Sequence, residues 1–288
     1  MKKSRLAKIL TLSLAAVMVF SLASCGGGSS DTGDKDITVI SREEGSGTRD
    51  AFTELTGVLK DDVDRTVDTA EISNSTSVVT QSVAGNDAAI GYISLGSLDD
   101  SVKAVKVDGV EASVDNVKSG DYKLQRPFNI VTKGEVAELP QDFINFIMSK
   151  DGQKIIEKEG YIAANENAGD YKASGLTGTI TLAGSTSVSP VMEVLADKYK
   201  ELNSGVTIEI QQTGSGAGIQ STIEGVCDIG MASRALADDE ASQGLTSQEI
   251  ALDGIAVIVN TNNSVEDLTT DQIVKIFTGE ITNWADVK

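Results

Sequence analysis

The chain has 288 residues, with 24 Lys and Arg, 43 Asp and Glu, no His and two Cys. This length is enough for roughly two domains of about 100–200 residues, each with a buried core. The formal net charge of −19 argues against nucleic-acid binding, because no basic excess is present to neutralise phosphodiesters. The lack of histidine excludes Ser-His-Asp and Cys-His catalysis and every His-ligated metal site.

The first 24 residues have the pattern of an export signal. Four cations lie within residues 2–8, an apolar run covers 9–22, and small residues follow before Cys25. Basic, apolar and small-residue regions in this order predict a cleaved signal peptide over residues 1–24. The apolar run is shorter than the ~20 residues that a membrane-spanning helix needs.

The sequence Leu-Ala-Ser-Cys ending at Cys25 resembles a lipobox, in which this cysteine becomes the lipidated first residue of a bacterial lipoprotein. The alternative is an ordinary secretory cleavage beside an incidental cysteine. Residues 25–35 are rich in glycine and serine and predict a flexible tether. The other cysteine, Cys227, lies in an apolar segment and is predicted to be a buried, unreactive thiol. We therefore expect an exported chain held at the outer face of a membrane.

The remainder of the chain alternates strand-like and helix-like patterns. Short runs rich in β-branched residues predict strands at 37–40, 90–93, 128–131, 180–183, 206–210 and 255–259. Helical spacing of apolar residues occurs over 140–158, over 190–202 and after Thr270, which is a candidate N-cap. Residues 165–178 lack periodicity and are interpreted as a linker. This alternation predicts an α/β fold.

Three turns between a strand and a helix are rich in Gly, Ser and Thr, at 42–48, 184–187 and 213–216. The unpaired N–H groups at a helix N-terminus, together with the positive end of the helix dipole, bind anions. Ser and Thr hydroxyls add donors that carry no charge. Helix capping alone explains any single turn of this kind. Their recurrence favours an oxyanion-binding site built from several turns.

Arg42 opens the first of these turns and is the only cation in the three. Its guanidinium can bind a tetrahedral oxyanion with two charge-assisted hydrogen bonds. We expect Glu44 to hold this guanidinium in place, and the alternative is that Arg42 and Glu44 form a solvated surface pair. The turns match neither the Walker A loop nor the dinucleotide-binding glycine motif, so nucleotide binding is disfavoured.

Strings along the mature chain closely resemble the PstS-type phosphate-binding lipoproteins of bacterial phosphate ABC importers. They are SREEGSGTRDAF at 41–52, AIGYISLG at 89–96, EGYIA at 159–163, GSTSVSPVMEVLADKY at 184–199, DIGMASR at 228–234, LDGIAVIVN at 252–260 and IFTGEITNWADV at 276–287. The resemblance covers nearly all of residues 36–288.

The resemblance implies an α/β, two-domain periplasmic-binding-protein fold of type II, the Venus-flytrap architecture. The order of its blocks is exchanged, because the family begins with the GSTSVSP segment and reaches SREEGSGTRD only after ITNWADV. We interpret this exchange as a circular permutation, with the family's termini joined by a flexible segment at 165–178. Residues 36–123 plus 261–288 are then expected to form one lobe, and 124–260 the other.

The resemblance also implies which residues bind phosphate. Many family members carry an aspartate, as acceptor of the proton of hydrogen phosphate, where this chain has Ser233. Asp253 is a candidate replacement, and the alternative is that it only ends a turn before a strand. The expected phosphate-binding residues are Arg42, Ser46, Gly47, Thr48, Thr186, Ser187, Ser215, Ser233 and Asp253.

The implied function is the capture of inorganic phosphate in an interdomain cleft, on the extracytoplasmic face of the cell membrane, for an ABC-type importer. The chain is expected to be a monomer anchored by lipid at Cys25, with the importer's permease as partner and no nucleic acid, metal or cofactor. Three alternatives stay open. They are a binding protein for another oxyanion such as sulfate or molybdate, a surface phosphate sensor without transport, and a phosphatase, which the lack of His disfavours.

Overall fold

The computed structural model describes residues 35–287. The predicted signal peptide (1–24), Cys25 and the tether up to residue 34 lie outside the described residues. Among residues 35–287, no helix is long and apolar enough to cross a bilayer.

Strands and helices alternate as the sequence patterns predict. The strands are β1 (Thr38–Arg42), β2 (Leu59–Lys60), β3 (Val63–Asp64), β4 (Glu71–Ser73), β5 (Ala89–Ser94), β6 (Val102–Ala104), β7 (Lys106–Val107), β8 (Gln125–Lys133), β9 (Ile162–Ala163), β10 (Gly178–Gly184), β11 (Val206–Gln212), β12 (Ile229–Ala232), β13 (Leu245–Asn260) and β14 (Asp267–Leu268). The helices are α1 (Gly47–Thr56), α2 (Thr76–Ala84), α3 (Val114–Ser119), α4 (Glu138–Ile147), α5 (Lys150–Lys158), α6 (Ser189–Leu202), α7 (Ser215–Glu224), α8 (Asp238–Ala241) and α9 (Thr270–Phe277). The six predicted strands correspond to β1, β5, β8, β10, β11 and the second half of β13.

One ten-stranded sheet runs through the described chain in the order β11-β10-β12-β8-β13-β5-β1-β4, with β6 and β9 paired to β13. β10 is parallel to β11 and β12, and β1 is parallel to β4 and β5. Between these two parallel arrays, the long strands β8 and β13 run antiparallel to each other. We call the array that contains β1 the first lobe and the array that contains β10 the second lobe.

Each lobe has its own apolar core. Helix α6 shows why, because Val191, Leu195 and Tyr199 recur at helical spacing and are all buried in the core of the second lobe. Strand β13 contributes to both cores, with 250–251 in the second and 255–259 in the first. The division at 123/124 and 260/261 stays a prediction. Along β13, the buried residues change from the core of the second lobe to the core of the first between Ala251 and Ile255.

The helical pattern over 140–158 folds as two helices, α4 and α5, rather than as one. Ser149 separates them with an extended backbone, and its Oγ accepts the N–H of Gly152 at 3.3 Å. A Cβ at Gly152 would lie 2.3 Å from the carbonyl oxygen of Phe146, so only glycine allows this tight turn between the helices. The apolar spacing continues across the break at Ile155 and Ile156, which is why periodicity does not reveal it.

The segment 165–178 has no helix or strand before β10 begins at Gly178, but it is not a free linker. The hydroxyls of Tyr171 and Ser174 donate to Asp142 Oδ2 at 2.6 and 2.8 Å, and the N–H of Gly175 donates to Asn203 Oδ1 at 3.3 Å. The flexibility of this segment stays a prediction, but its contacts with the second lobe are specific. Side-chain hydrogen bonds of this kind leave no periodic signal in a sequence.

Two local predictions have different outcomes. The N-cap of α9 is Thr269, whose Oγ1 accepts the N–H of Gln272 at 3.2 Å, so the predicted cap at Thr270 is one residue late. Cys227 is buried, as predicted, and its Sγ lies 3.4 Å from the hydroxyl oxygen of Thr222. Burial raises the pKa of the Cys227 thiol, which disfavours the reactive thiolate.

Candidate functional site

The predicted site residues lie where strands end. Five strands each run into a short turn that carries Ser or Thr. They are β1 and β4 in the first lobe and β10, β11 and β12 in the second lobe. Because the carboxyl ends of parallel strands in one array share one edge of the sheet, the turns of each lobe gather at the crevice that faces the other lobe. Helices α1, α2, α6 and α7 all begin at or within two residues of these turns, which brings unpaired N–H groups to the same place.

Four hydroxyls from both lobes form one hydrogen-bonded group, which we call the hydroxyl cluster. Thr48 Oγ1 lies 2.9 Å from Ser187 Oγ, and Thr76 Oγ1 lies 3.0 Å from the same Ser187 Oγ. Thr76 Oγ1 also lies 3.3 Å from Thr186 Oγ1. All four residues are at most 5% exposed. Since a hydroxyl can rotate its proton, each can direct a donor toward an anion without adding charge.

Arg42 adds a positive charge to the hydroxyl cluster. Its Nη2 donates to Thr186 Oγ1 at 3.1 Å, and its Nη1 donates to Thr76 Oγ1 at 3.5 Å. The Nε and Nη2 atoms also donate to the two carboxylate oxygens of Glu43, both at 2.9 Å. The guanidinium is therefore shared between a carboxylate and the hydroxyl cluster.

The carboxylate that holds Arg42 is Glu43 and not Glu44, which corrects the prediction. Glu43 continues the line of β1, since its N–H donates to the carbonyl of Ser73 at 3.1 Å. Glu44 lies in the turn that follows and is exposed. The sequence does not show which of these two adjacent side chains faces the guanidinium. The direction of each depends on where β1 ends and the turn begins, and the fold determines that point.

Ser46 closes the same turn as the N-cap of α1, where its Oγ accepts the N–H of Arg49 at 3.4 Å. The backbone of Gly45 just before it has a φ of +78°, which glycine adopts without strain. Ser46 is 1% exposed and directly precedes Gly47, so it is buried beside a site residue while it also caps the helix.

Ser215 and Ser233 approach the first lobe at Gly47. Their Oγ atoms lie 3.3 Å apart, and the N–H of Ser233 donates to Ser215 Oγ at 3.1 Å. A Cβ on Gly47 would lie 2.5 Å from Ser215 Oγ and 2.8 Å from Ser233 Oγ, so the close approach requires glycine. The N–H of Gly216 also donates to the carbonyl of Gly45 at 2.9 Å. The structure thus gathers the predicted residues of the three turns, together with Ser233, at the interface of the two lobes.

Thr76 is the member of the hydroxyl cluster that sequence reasoning missed. It begins α2, directly after the three-residue strand β4. The run Ser-Asn-Ser-Thr at 73–76 is a fourth turn rich in hydroxyls between a strand and a helix. Strand β4 has only one strongly β-forming apolar residue, Ile72, so no strand signal drew attention to that turn.

Asp253 pairs with Arg126 on the neighbouring strand. Arg126 Nε and Nη2 donate to Asp253 Oδ2 at 3.2 and 3.1 Å, and Ser94 Oγ donates to Asp253 Oδ1 at 2.9 Å. Arg126 Nη1 donates to the carbonyl of Ser233 at 3.3 Å, so the ion pair helps to fix the backbone of a site residue. Burial raises the pKa of Asp253 to about 6 although Arg126 acts in the opposite direction.

A cavity of about 430 Å³ adjoins the hydroxyl cluster at Thr76 and Thr186 and is lined by residues of both lobes. Its lining is mainly Ser, Thr and Gln side chains. Within residues 35–287, no group of three or more His, Cys, Asp or Glu side chains is placed to hold a metal ion. The site combines neutral hydroxyl donors with one guanidinium, which Glu43 also holds, and these donors suit a small oxyanion.

The fold consists of two parallel βα arrays that are joined by crossing strands, and hydrogen-bond donors of both arrays face one crevice. This arrangement defines a two-lobed solute-binding protein. The PBP superfamily domain matches residues 6–151 and 170–288. The phosphate-binding protein PstS 2 of Streptococcus agalactiae is 48% identical over 293 residues, covering 100% of this chain and 99% of the relative. The protein of the same name from Streptococcus pneumoniae is 48% identical over 288 residues, covering 98% and 99%.

A solved structure agrees with these relatives. The phosphate-binding protein of a phosphate ABC transporter from Streptococcus pneumoniae superposes with a TM-score of 0.72 and 50% sequence identity, covering 88% of this chain and 100% of that one. The chain therefore belongs to the PBP superfamily and, within it, to the family of PstS phosphate-binding proteins. This confirms the predicted type II fold.

The exchanged order of blocks is shared with the streptococcal relatives, because they align with this chain from end to end. By contrast, the PstS protein of Bacillus subtilis matches over only 136 residues, or 43% of this chain, at 32% identity. A partial match is expected where two proteins carry the same blocks in different order, because a linear alignment follows one block at a time.

Proposed function

We propose that the chain captures inorganic phosphate between its two lobes and delivers it to an ABC-type importer. The observation that carries the proposal is the buried group formed by the Arg42 guanidinium and hydroxyls from both lobes, Thr48 and Thr76 on one side and Thr186 and Ser187 on the other. The names of the relatives, which are phosphate-binding proteins, support the same ligand.

Local donors have to bind the anion, because the whole chain is strongly acidic, with a formal charge of −19. At long range such a chain repels phosphate and does not steer it inward. In a buried site, however, hydrogen bonds from a guanidinium and several hydroxyls are strengthened by the low local dielectric. Affinity therefore depends on the geometry of the site and should respond only weakly to overall charge.

We propose that Asp253 supports the site and does not itself take the proton of hydrogen phosphate. Both of its oxygens already accept hydrogen bonds, from Ser94 and from Arg126. Ser233 remains in the proposed ligand set, together with Arg42, Ser46, Gly47, Thr48, Thr186, Ser187 and Ser215, and Thr76 joins it. An unpaired carboxylate would repel sulfate more strongly than the Ser233 hydroxyl does. The preference of the site for phosphate over sulfate is therefore a quantity for titration.

The test is calorimetric titration of phosphate and of sulfate into the purified chain from residue 26 onward. We expect one phosphate per chain and weaker binding of sulfate. Tighter binding of sulfate or molybdate would reassign the ligand to another oxyanion. Absence of binding for all three anions would remove the proposal.

We also propose that Cys25 carries the lipid anchor, that the monomeric chain acts outside the cytoplasm, and that its protein partner is the importer's permease. The lipobox-like tetrad and the transporter named in the relatives' descriptions support this placement. Replacing Cys25 with alanine should release the protein from membranes into the medium. A variant that stays membrane-bound would contradict lipid anchoring at this residue.

We propose that the chain is a binding protein rather than an enzyme, supported by the lack of His in the sequence and by the names of its relatives. Release of phosphate from a phosphomonoester by the purified chain would contradict this. Deleting the gene separates transport from sensing. Loss of phosphate uptake at low phosphate supports transport, whereas normal uptake with altered gene regulation would support a sensor.

A further inference from the structure

A charged contact joins the lobes at the rim of the site. Arg234 follows Ser233 in the second lobe, and Asp50 lies two residues after Thr48 in α1 of the first lobe. Arg234 Nε donates to Asp50 Oδ2 at 2.9 Å. Each partner is therefore attached to a turn that carries a site residue, so the ion pair links the turns of the two lobes.

Glu240 holds Arg234 in position on its own lobe. Arg234 Nη1 and Nη2 donate to the Glu240 carboxylate at 2.7 and 2.8 Å. Glu240 also accepts the N–H of Ala237 at 2.8 Å, and Asn129 Nδ2 donates to the carbonyl of Arg234 at 2.8 Å. All of these contacts lie within the second lobe and do not depend on closure. The guanidinium is thus held by groups of its own lobe, and Asp50 is its carboxylate partner from the other lobe.

A second ion pair between the lobes provides a comparison. Lys118 of α3 in the first lobe contacts Glu166 of the second at 2.9 Å, with side chains 54% and 65% exposed. The side chains of Arg234 and Asp50 are 16% and 40% exposed. Exposed ion pairs are weakened by solvent and by salt, so Lys118–Glu166 contributes little to closure.

We propose that the Asp50–Arg234 ion pair is a latch that prolongs the closed state of the lobes around the bound anion. This inference rests on the proposed function. Arg234 is then a positioning residue that acts on the ligand through closure. The apparent affinity equals the intrinsic affinity weighted by the population of the binding-competent state, and a contact made only on closure raises that population. For a partly exposed pair, we expect a change of about 1.5- to 5-fold.

The test is a double-mutant cycle on phosphate release, measured by stopped flow with the purified chain. The variants are Asp50→Asn, Arg234→Gln and the two combined, with Lys118→Gln as the matched control. Each single variant should release phosphate about 1.5- to 5-fold faster, and the combination should release it no faster than the faster single variant. The association rate and the Lys118→Gln variant should be unchanged.

The cycle separates the latch from other roles of Asp50. An aspartate in the first turn of a helix also stabilises that helix through its dipole, and this effect persists when Arg234 is replaced. The unfolding midpoint of each ligand-free variant is measured to record that effect. Effects on release that add in the double variant would overturn the latch, as would unchanged release rates or an equal effect of Lys118→Gln.

Failure of the latch and failure of the proposed function give different results. If the wild-type chain binds phosphate but the Asp50→Asn variant releases it at the wild-type rate, the latch alone is wrong. If the wild-type chain binds sulfate instead, the same cycle is run with sulfate and tests the latch directly. If it binds neither anion, both proposals are overturned.

Discussion

Arg42 and Arg126 are both 2% exposed and both pair with a carboxylate, but their surroundings differ. The partner of Arg42 is Glu43, whose side chain is 25% exposed, and the guanidinium also donates to Thr76 and Thr186. The partner of Arg126 is Asp253, whose side chain is 0% exposed, and this guanidinium also donates to a backbone carbonyl and lies 5.3 Å from the centroid of the Phe128 ring.

The difference shows that burial of a cation does not by itself identify a binding residue. Arg42 ends a parallel strand, where its donors reach hydroxyls of both lobes. Arg126 lies within β8, in register with Asp253 on β13, where the two strands cross between the lobes. An anion can therefore replace the hydroxyls as hydrogen-bond partners of Arg42. Arg126, by contrast, neutralises a buried carboxylate and holds the carbonyl of Ser233.

The comparison predicts the largest effect on stability for Arg126→Ala. This change leaves Asp253 buried without its partner, which should lower the free energy of unfolding by about 3–5 kcal/mol. Arg42→Ala should cost less, because Glu43 is partly exposed and can be solvated. Urea unfolding of both ligand-free variants measures the difference, and equal losses would break the comparison.

A double substitution checks the cause of that loss. Arg126→Met combined with Asp253→Leu removes both charges from the interior and keeps apolar volume, so most of the stability lost in Arg126→Ala should return. If the double variant is as unstable as the single one, the loss reflects packing around Arg126 and not an unpaired charge.

The second prediction concerns pH. Burial raises the pKa of Asp253 to about 6, above its ordinary value of about 3.9. Between these values the folded state binds more protons than the unfolded state, so this group makes the free energy of unfolding fall as the pH rises from about 4 to about 6. The change is on the order of 2 kcal/mol. Asp253→Asn should remove it, as measured by urea unfolding across this range, and an identical pH profile in the variant would rule out Asp253 as its source.

Arg42→Ala should have the largest effect on binding. Loss of a charge-assisted hydrogen bond in a buried site costs about 1.5–3 kcal/mol, which corresponds to a 10- to 100-fold weaker affinity for phosphate. Titration calorimetry measures the affinity, with the exposed Lys198→Ala as a control for the change in net charge. If the two variants bind equally well, Arg42 does not belong to the site.

Thr76→Val should have a smaller effect in the same direction. The variant keeps the shape of the side chain but loses one hydroxyl, which should weaken phosphate binding by about 0.5–1.5 kcal/mol. Thr80→Val is the matched control, because the Thr80 hydroxyl is one turn further along α2 and donates to the carbonyl of Thr76 at 3.3 Å. A loss of affinity in Thr80→Val but not in Thr76→Val would remove Thr76 from the proposed ligand set.

Local patterns in the sequence were sufficient to predict the alternation of strands and helices and the three turns that carry most site residues. Ser46, Gly47 and Thr48 are neighbours in the chain, so their shared place at the start of α1 follows from capping rules alone. The block order and the family also follow from the sequence, because the motifs that carry the resemblance are short and continuous.

Contacts between distant residues were decided by the tertiary structure. Arg126 and Asp253 lie opposite each other because of the register between β8 and β13, and a shift of one residue would place them on different faces of the sheet. Thr76 reaches Ser187, 111 positions away, because β4 and β10 end at the same crevice from opposite lobes. Periodicity reports which face of an element is buried, whereas the partner that a buried polar group finds depends on how the elements pair.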